Sequence, residues 1–404
     1  AIRNGKELIM VNEKYHGLGT APSVIRELFA YGLQQVKVVG KENVYDYSLG
    51  NPSIPAPAKV NETIKKLVDT EDSIQLHGYS MAPGFENVRQ AIADNLNERF
   101  GVNAKANELF MTCGCAPALV SVAHALTTSP EDEFVAIAPF FPEYNVFFTC
   151  AGAKLTVVPA DTVHFQIDMD ALEKTINEHS VAVVINSPNN PSGVIYPEAN
   201  IKAACEVLKA KEAEYGHPIY IIADEPYREL VYTEEKVAFI PSIYDNTIIC
   251  YSWSKSLSLP GERIGYIAVP KSVADYDLII PAINGAGRVL GYVCAPSLFQ
   301  QVVKECVDVM PDIEPYRVNR DLLYNALVEY GYNVAKPSGA FYMYIEAPDK
   351  NAEAFCEKAK QQDVLLVPGT GFGTPSYMRL SYCVEKAKVE KCLPVFKKLM
   401  EEYK

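Results

Sequence analysis

Seven short apolar runs, at 109–114, 133–138, 154–159, 181–187, 219–224, 247–252 and 263–269, punctuate the middle of the chain, each followed by turn-forming or polar residues. Several are apolar over most of their length, the pattern of strands buried on both faces. The first five alternate with helix-like stretches such as 116–127 and 201–214, which predicts βαβ crossovers. The link between the last two runs has no helical pattern, so an antiparallel member fits there. The expected fold is α/β, with a mixed, mostly parallel seven-stranded sheet.

Before this sheet lies Asn51-Pro52-Ser53-Ile54-Pro55-Ala56-Pro57, whose prolines exclude a central strand or helix interior and mark a joining segment. After it, 311–404 shows helix-like stretches around a strand pattern at 339–345 and ends in a charged helix at 385–403. We therefore expect a large domain at 55–305 and a smaller α+β domain built from both termini: residues 306–404 plus part of 1–54, the rest of which forms an arm. The chain shows no internal repeat and no low-complexity tail.

At 404 residues the chain exceeds one ordinary hydrophobic core, in keeping with two compact units. With 49% hydrophobic and 22% charged residues it reads as a soluble globular protein. No segment approaches the roughly 18 uninterrupted apolar residues of a membrane-spanning helix, so no membrane partner is expected. Residues 1–14 carry Arg3, Lys6, Glu7, Glu13 and Lys14 without an apolar stretch, unlike a secretory signal; Met10 offers a natural start. A formal charge of −13 provides no basic stripe for nucleic acid. The ten cysteines form no CxxC pair, which suggests neither zinc nor a disulfide framework. A reducing cytoplasm fits best.

In α/β sheets ligands gather beyond the carboxyl ends of the strands. Here the run at 181–187 leads into Pro188-Asn189-Asn190-Pro191-Ser192-Gly193, and 219–223 into Asp224-Glu225-Pro226-Tyr227. The run at 247–251 leads into Ser252-Trp253-Ser254-Lys255, and 109–112 into Cys113-Gly114-Cys115-Ala116. Together they supply an amide, an acid, a phenol, a lysine and a glycine turn. That set suits pyridoxal phosphate, which needs a lysine for its aldehyde, a carboxylate to keep the ring nitrogen protonated, donors to the phenolic oxygen and an anion site. Lys255 would supply the amine and later move the substrate's α-proton. Asp224 would pair with the ring nitrogen, and Tyr227 and Asn190 would donate to the ring oxygen. The phosphate would take the N–H groups of Cys115 and Ala116 behind Gly114, with Ser252 adding a hydroxyl and Arg263 a bidentate cation.

These residues resemble the class I/II aminotransferases of the aspartate aminotransferase fold, type I among pyridoxal-phosphate enzymes. The resemblance covers nearly the whole chain. It rests on Tyr47-Ser48-Leu49-Gly50-Asn51-Pro52, Tyr79 with Gly84 and Arg89-Gln90-Ala91-Ile92, and Asn186 to Gly193. It continues through Ala223-Asp224-Glu225-Pro226-Tyr227, Ser252-Trp253-Ser254-Lys255 with Arg263-Ile264-Gly265-Tyr266, and Met378-Arg379-Leu380-Ser381. The family's lysine, acid, tyrosine and asparagine fall on Lys255, Asp224, Tyr227 and Asn190. The resemblance further implies that Tyr79 reaches the phosphate of the neighbouring subunit, that Phe141 stacks on the cofactor ring, and that Arg379 clamps the substrate α-carboxylate. Gly50 and Asn190 would line the substrate pocket, and Arg288 of the other chain of a homodimer would meet a distal carboxylate. Relatives often carry Tyr or Trp at the stacking position; Phe141 keeps the stacking face and loses any hydrogen bond from that ring.

The resemblance implies a transaminase of amino-acid metabolism and biosynthesis, acting on an amino acid and a 2-oxo acid, aspartate and glutamate types first. The same residues also serve carbon–sulfur lyases and related eliminating enzymes. A non-catalytic cofactor-binding regulator is disfavoured, because the segment before Tyr47 is short and not basic. Taken singly, each residue has an ordinary explanation. Lys255 could be a solvated lysine, Asp224 a helix cap, Asn190-Gly193 a turn, Tyr79 and Phe141 packed aromatics, and Arg263 a partner of Glu262. Arg379, in an apolar strand, needs a partner for its charge, and a substrate carboxylate is one. His77, His124 and His164 lack ligand-spaced partners, and the glycines of 285–291 do not have dinucleotide-binding spacing.

Overall fold

A computed structural model describes residues 2–3, 6–7, 10–21 and 23–403; of the expected arm, residues 1, 4–5, 8–9 and 22 lie outside the described residues. Seven strands form the central sheet: β1 (Leu109–Thr112), β2 (Glu133–Ile137), β3 (Lys154–Val158), β4 (Ser180–Asn186), β5 (Tyr220–Asp224), β6 (Thr247–Ser252) and β7 (Gly265–Ala268). Their spatial order is β1-β7-β6-β5-β4-β2-β3. Only β7 runs against its neighbours, pairing antiparallel with both β1 and β6. The continuous apolar runs are explained by two cores, one on each face. Alternate residues such as Met111, Val135, Val183, Ile221 and Ile249 enter one, while Phe110, Phe134, Val184, Ile222 and Ile248 enter the other.

Two expected strands of this sheet are shorter than the sequence suggests by more than one residue. β1 stops at Thr112 because Gly114 turns to φ 98° as the cap of the helix Cys115–Leu126. β7 starts at Gly265 rather than at 263, because Arg263 takes φ 53°, outside strand geometry. The third core holds Tyr45 and Tyr47 together with residues from Tyr316 to Met400. Its four-stranded sheet contains β8 (Val334–Ala335), β9 (Tyr342–Glu346), β10 (Val367–Pro368) and β11 (Tyr377–Ser381) in the order β8-β9-β11-β10. The pattern at 339–345 thus becomes a strand that starts three residues inside its expected start, at Tyr342. Tyr45–Asp46 pairs parallel with Val364–Leu365. The helix Val24–Val39, capped by the Ser23 hydroxyl, lies over that pair with Gly32 close against Leu365. A segment from the beginning of the chain is thereby built into the unit formed by its end. No described helix is long and apolar enough to cross a membrane.

Candidate active site

Sheet register brings the predicted residues to one edge. Asn186, Asp224 and Cys250 stand in one row across β4, β5 and β6; Thr112, Gly265 and Ser252 stand in another across β1, β7 and β6. The strand ends open into a cavity of about 300 Å³. Its lining includes Gly50, Cys115, Ala116, Phe141, Asn190, Asp224, Tyr227, Ser252, Lys255, Arg263 and Arg379, all candidates from the sequence.

Lys255 sits in the single-turn helix Trp253–Ser256 directly after β6. Its Nζ donates to the Gly50 carbonyl at 2.6 Å. Burial pulls its pKa from 10.5 down to about 8, with Arg379 and Arg263 pushing the same way against an opposing contribution from Cys383. Asp224 is buried at the end of β5 and receives Cys115 Sγ at 3.0 Å and the hydroxyl of Tyr144. Burial raises its carboxyl above the usual range, and those two donors pull it back. Both are neutral, so a cationic ring nitrogen would add the charge that this carboxylate lacks.

Asn186 organises the turn after β4: its amide donates to the Asp224 carbonyl at 2.9 Å and accepts from Asn190 N–H at 2.7 Å. The Asn190 side chain accepts from Arg379 at 3.0 Å through its oxygen, which leaves its amide nitrogen free to donate into the cavity. Arg379, on β11 and only 2% exposed, also donates to the Ser48 carbonyl at 2.6 Å, and its Nε has no partner. Among the described residues no carboxylate pairs with this guanidinium. A buried cation held by neutral groups is a receptor for an anion.

The residues expected to hold the phosphate gather at the start of the helix Cys115–Leu126. Ala118 N–H takes the Gly114 carbonyl and Pro117 has no N–H, so Cys115 and Ala116 are the first-turn donors left over. A Cβ on Gly114 would come within 2.8 Å of the Arg263 guanidinium, so glycine lets that cation lie against the helix end. Ser252 Oγ stands 3.2 Å from Ser254 Oγ, beside them. A buried amine, a buried carboxylate, phenol and amide donors and a helix N-terminus beside a guanidinium are therefore all present, and this set fits what pyridoxal phosphate requires.

Three candidates do not line the cavity of their own chain: Gly114 lies just behind it, against Arg263, and the other two are on the surface. Tyr79 is 93% exposed, and Arg288, in the last turn of the helix Tyr276–Leu290, is exposed as well. Conversely, Tyr144, Asn186, Ser254 and Tyr342 belong to the site and were not among the sequence candidates. Asn186 and Ser254 lie inside motifs already singled out. Tyr144 and Tyr342 have no local signal, since each occupies a regular position in a helix or an apolar strand.

Comparison with known proteins decides the family. Residues 41–396 match the family Aminotransferase class I and II. The chain belongs to that family. A crystal structure of an aminotransferase from Eubacterium rectale shares 54% identity, with a TM-score of 0.96 over 98% of this chain and 99% of that one. A probable N-acetyl-LL-diaminopimelate aminotransferase of Bacillus subtilis is 29% identical over 88% of this chain and 90% of its own. The aromatic-amino-acid aminotransferase 2 of Thermococcus litoralis is 27% identical over 95% and 97%. An aspartate aminotransferase of Thermus thermophilus with maleate, at 23% identity and TM-score 0.84 over 96% of this chain and all of that one, shares the fold. This aminotransferase is thus a pyridoxal-phosphate-dependent transaminase of mixed, mostly parallel α/β architecture.

Proposed function

We propose that this transaminase exchanges an amino group between an L-amino acid and a 2-oxo acid in the cavity shared by Lys255, Asp224 and Arg379, with aspartate- and glutamate-type substrates first. The observation that carries this reading is a buried amine of lowered basicity in the same cavity as a buried guanidinium without a carboxylate of its own. Pyridoxal phosphate, when bound, supplies an aldehyde that captures the substrate amine and a protonated ring that accepts the electron pair left at the α-carbon. Lys255 is the amine that anchors the aldehyde and, once the substrate amine has replaced it, the base that takes the α-proton. Asp224 keeps the ring nitrogen protonated. Tyr227 and the Asn190 amide nitrogen donate to the ring oxygen, and Phe141 covers the ring face. Cys115 and Ala116 N–H, Ser252 and Arg263 hold the phosphate. Arg379 fixes the α-carboxylate, so that the leaving proton is presented to Lys255, and Gly50 leaves room for substrate beside it.

The proposal extends to a homodimer. Exposure of Tyr79 and Arg288 in the single chain supports their acting in the neighbouring subunit, Tyr79 on the phosphate and Arg288 on a distal carboxylate. Ten free cysteines support a cytoplasmic setting, and the reaction suits amino-acid biosynthesis.

Holoenzyme given a single amino acid should release one equivalent of 2-oxo acid per site and stop, then turn over continuously when 2-oxoglutarate is added. Continuous ammonia release without an acceptor would instead identify an eliminating enzyme and overturn the proposal. Arg288→Ala should raise KM for aspartate roughly tenfold or more, as for loss of a charged hydrogen bond, and leave KM for alanine nearly unchanged. Equal changes would discard its role, and a fully active monomer would discard the roles of both Tyr79 and Arg288.

A further inference from the structure

Tyr342, on β9, touches three working parts of the site at once. Its hydroxyl lies 2.7 Å from the Tyr227 hydroxyl, and its ring packs edge-on to the Tyr227 ring with centroids 5.6 Å apart. The Arg379 guanidinium lies 4.7 Å from its ring centroid. A Cβ added to Gly50 would fall 2.1 Å from its hydroxyl oxygen, so the residue whose carbonyl receives Lys255 is kept small against Tyr342. Both phenols are buried. The titratable groups that face the pair are Arg379, Asp224 and Cys383, and Lys255 lies close to Arg379 and Cys383.

Each phenol carries one proton, so the two hydroxyls share a single hydrogen bond whose direction depends on what else they meet. If Tyr227 gives its proton to the ring oxygen of the cofactor, it can only accept from Tyr342. The chain then runs one way, from Tyr342 to Tyr227 to the ring oxygen, and each bond strengthens the next. We propose that Tyr342 is a positioning residue that acts through Tyr227: by donating to the Tyr227 oxygen it orients that phenol and makes it a stronger donor to the cofactor's ring oxygen. This rests on the assignment of Tyr227 as that donor. Because Tyr342 also underlies Arg379, it ties the cofactor's ring oxygen to the carboxylate clamp through one rigid ring.

The test is a spectroscopic pH titration of holoenzyme without substrate, following the visible absorbance of cofactor bound to Lys255. Losing the proton leaves charge on the ring oxygen, which a strong donor stabilises, so the donor chain lowers the midpoint. Tyr342→Phe removes one oxygen and keeps the ring, and should raise the midpoint by roughly half to one pH unit, the size of one net hydrogen bond. Tyr227→Phe should raise it at least as far, and adding Tyr342→Phe to Tyr227→Phe should change nothing more. Tyr344, on the same strand as Tyr342, has a buried hydroxyl bonded to Thr374; Tyr344→Phe should leave the midpoint where it is. Should Tyr342→Phe not fold, 3-fluorotyrosine at position 342, a stronger donor of the same shape, should lower the midpoint. If Tyr227→Phe shifts the midpoint and neither change at 342 does, the relay through Tyr342 is wrong while Tyr227 stands. If Tyr227→Phe itself shifts nothing, the assignment of Tyr227 falls, and the relay with it.

Discussion

Below about pH 8 the buried ammonium of Lys255 opposes folding. Its pKa is near 8 in the folded chain against an ordinary 10.5, so the unfolded chain binds the proton more tightly across that interval. Stability then rises with pH between the two values. The penalty is complete below pH 8, fades from there to 10.5 and is absent above. In the cofactor-free protein, Lys255→Met should therefore be more stable than the parent by up to about 3 kcal/mol at pH 7. Denaturant unfolding should show the difference closing towards pH 10.5. A difference that stays constant over this range would mean that Lys255 is not held as a buried amine. At this scale the sequence was informative wherever chemistry sets the residue type. Arg379, a charge within an apolar strand, stands out by itself; Lys255, Asp224, Tyr227 and Asn190 each have an ordinary explanation alone and become legible only as a set arriving at neighbouring strand ends. Tyr144 and Tyr342 were not legible, because a tyrosine in an amphipathic helix or a buried strand looks the same whether its hydroxyl is idle or aimed at Asp224 or Tyr227.

Elements follow the apolar pattern closely because the central sheet is buried on both faces, and runs without alternation can only be strands of that kind or buried helix. Their ends follow it less well. The ends of β1 and β7 are set by backbone conformations at Gly114 and Arg263 that hydropathy does not report. Gly114 is also where an element boundary becomes a binding feature. At φ 98° and with Arg263 within 2.8 Å of a would-be Cβ, alanine there must strain the backbone or displace the guanidinium, at a cost of order 1–3 kcal/mol. Gly114→Ala should weaken pyridoxal phosphate binding roughly tenfold or more in a fluorescence titration, with a much smaller effect on pyridoxal, which lacks the phosphate. Equal effects on both ligands would remove the helix N-terminus from phosphate binding.

For the molecule as a whole, the cavity lies between the seven-stranded sheet and the unit formed by the two ends of the chain. Lys255 and Asp224 come from the first, and Arg379, Tyr342 and Gly50 from the second. The sequence reading already assigned part of 1–54 to the smaller α+β unit with 306–404, but not which part. Parallel pairing of Tyr45–Asp46 with Val364–Leu365 spans over three hundred residues and leaves no local periodicity that would single out Tyr45, Tyr47 or the helix Val24–Val39. Nor does the single chain bring Tyr79 and Arg288 to its own cavity. The central claim remains that the reactive amine is Lys255. Reducing holoenzyme with borohydride fixes the cofactor to whichever amine holds it, and peptide mass spectrometry reads the position. The account predicts the pyridoxyl mass on the peptide containing Lys255 and no fixed label in Lys255→Ala. Label on another lysine, or label retained in Lys255→Ala, would contradict it.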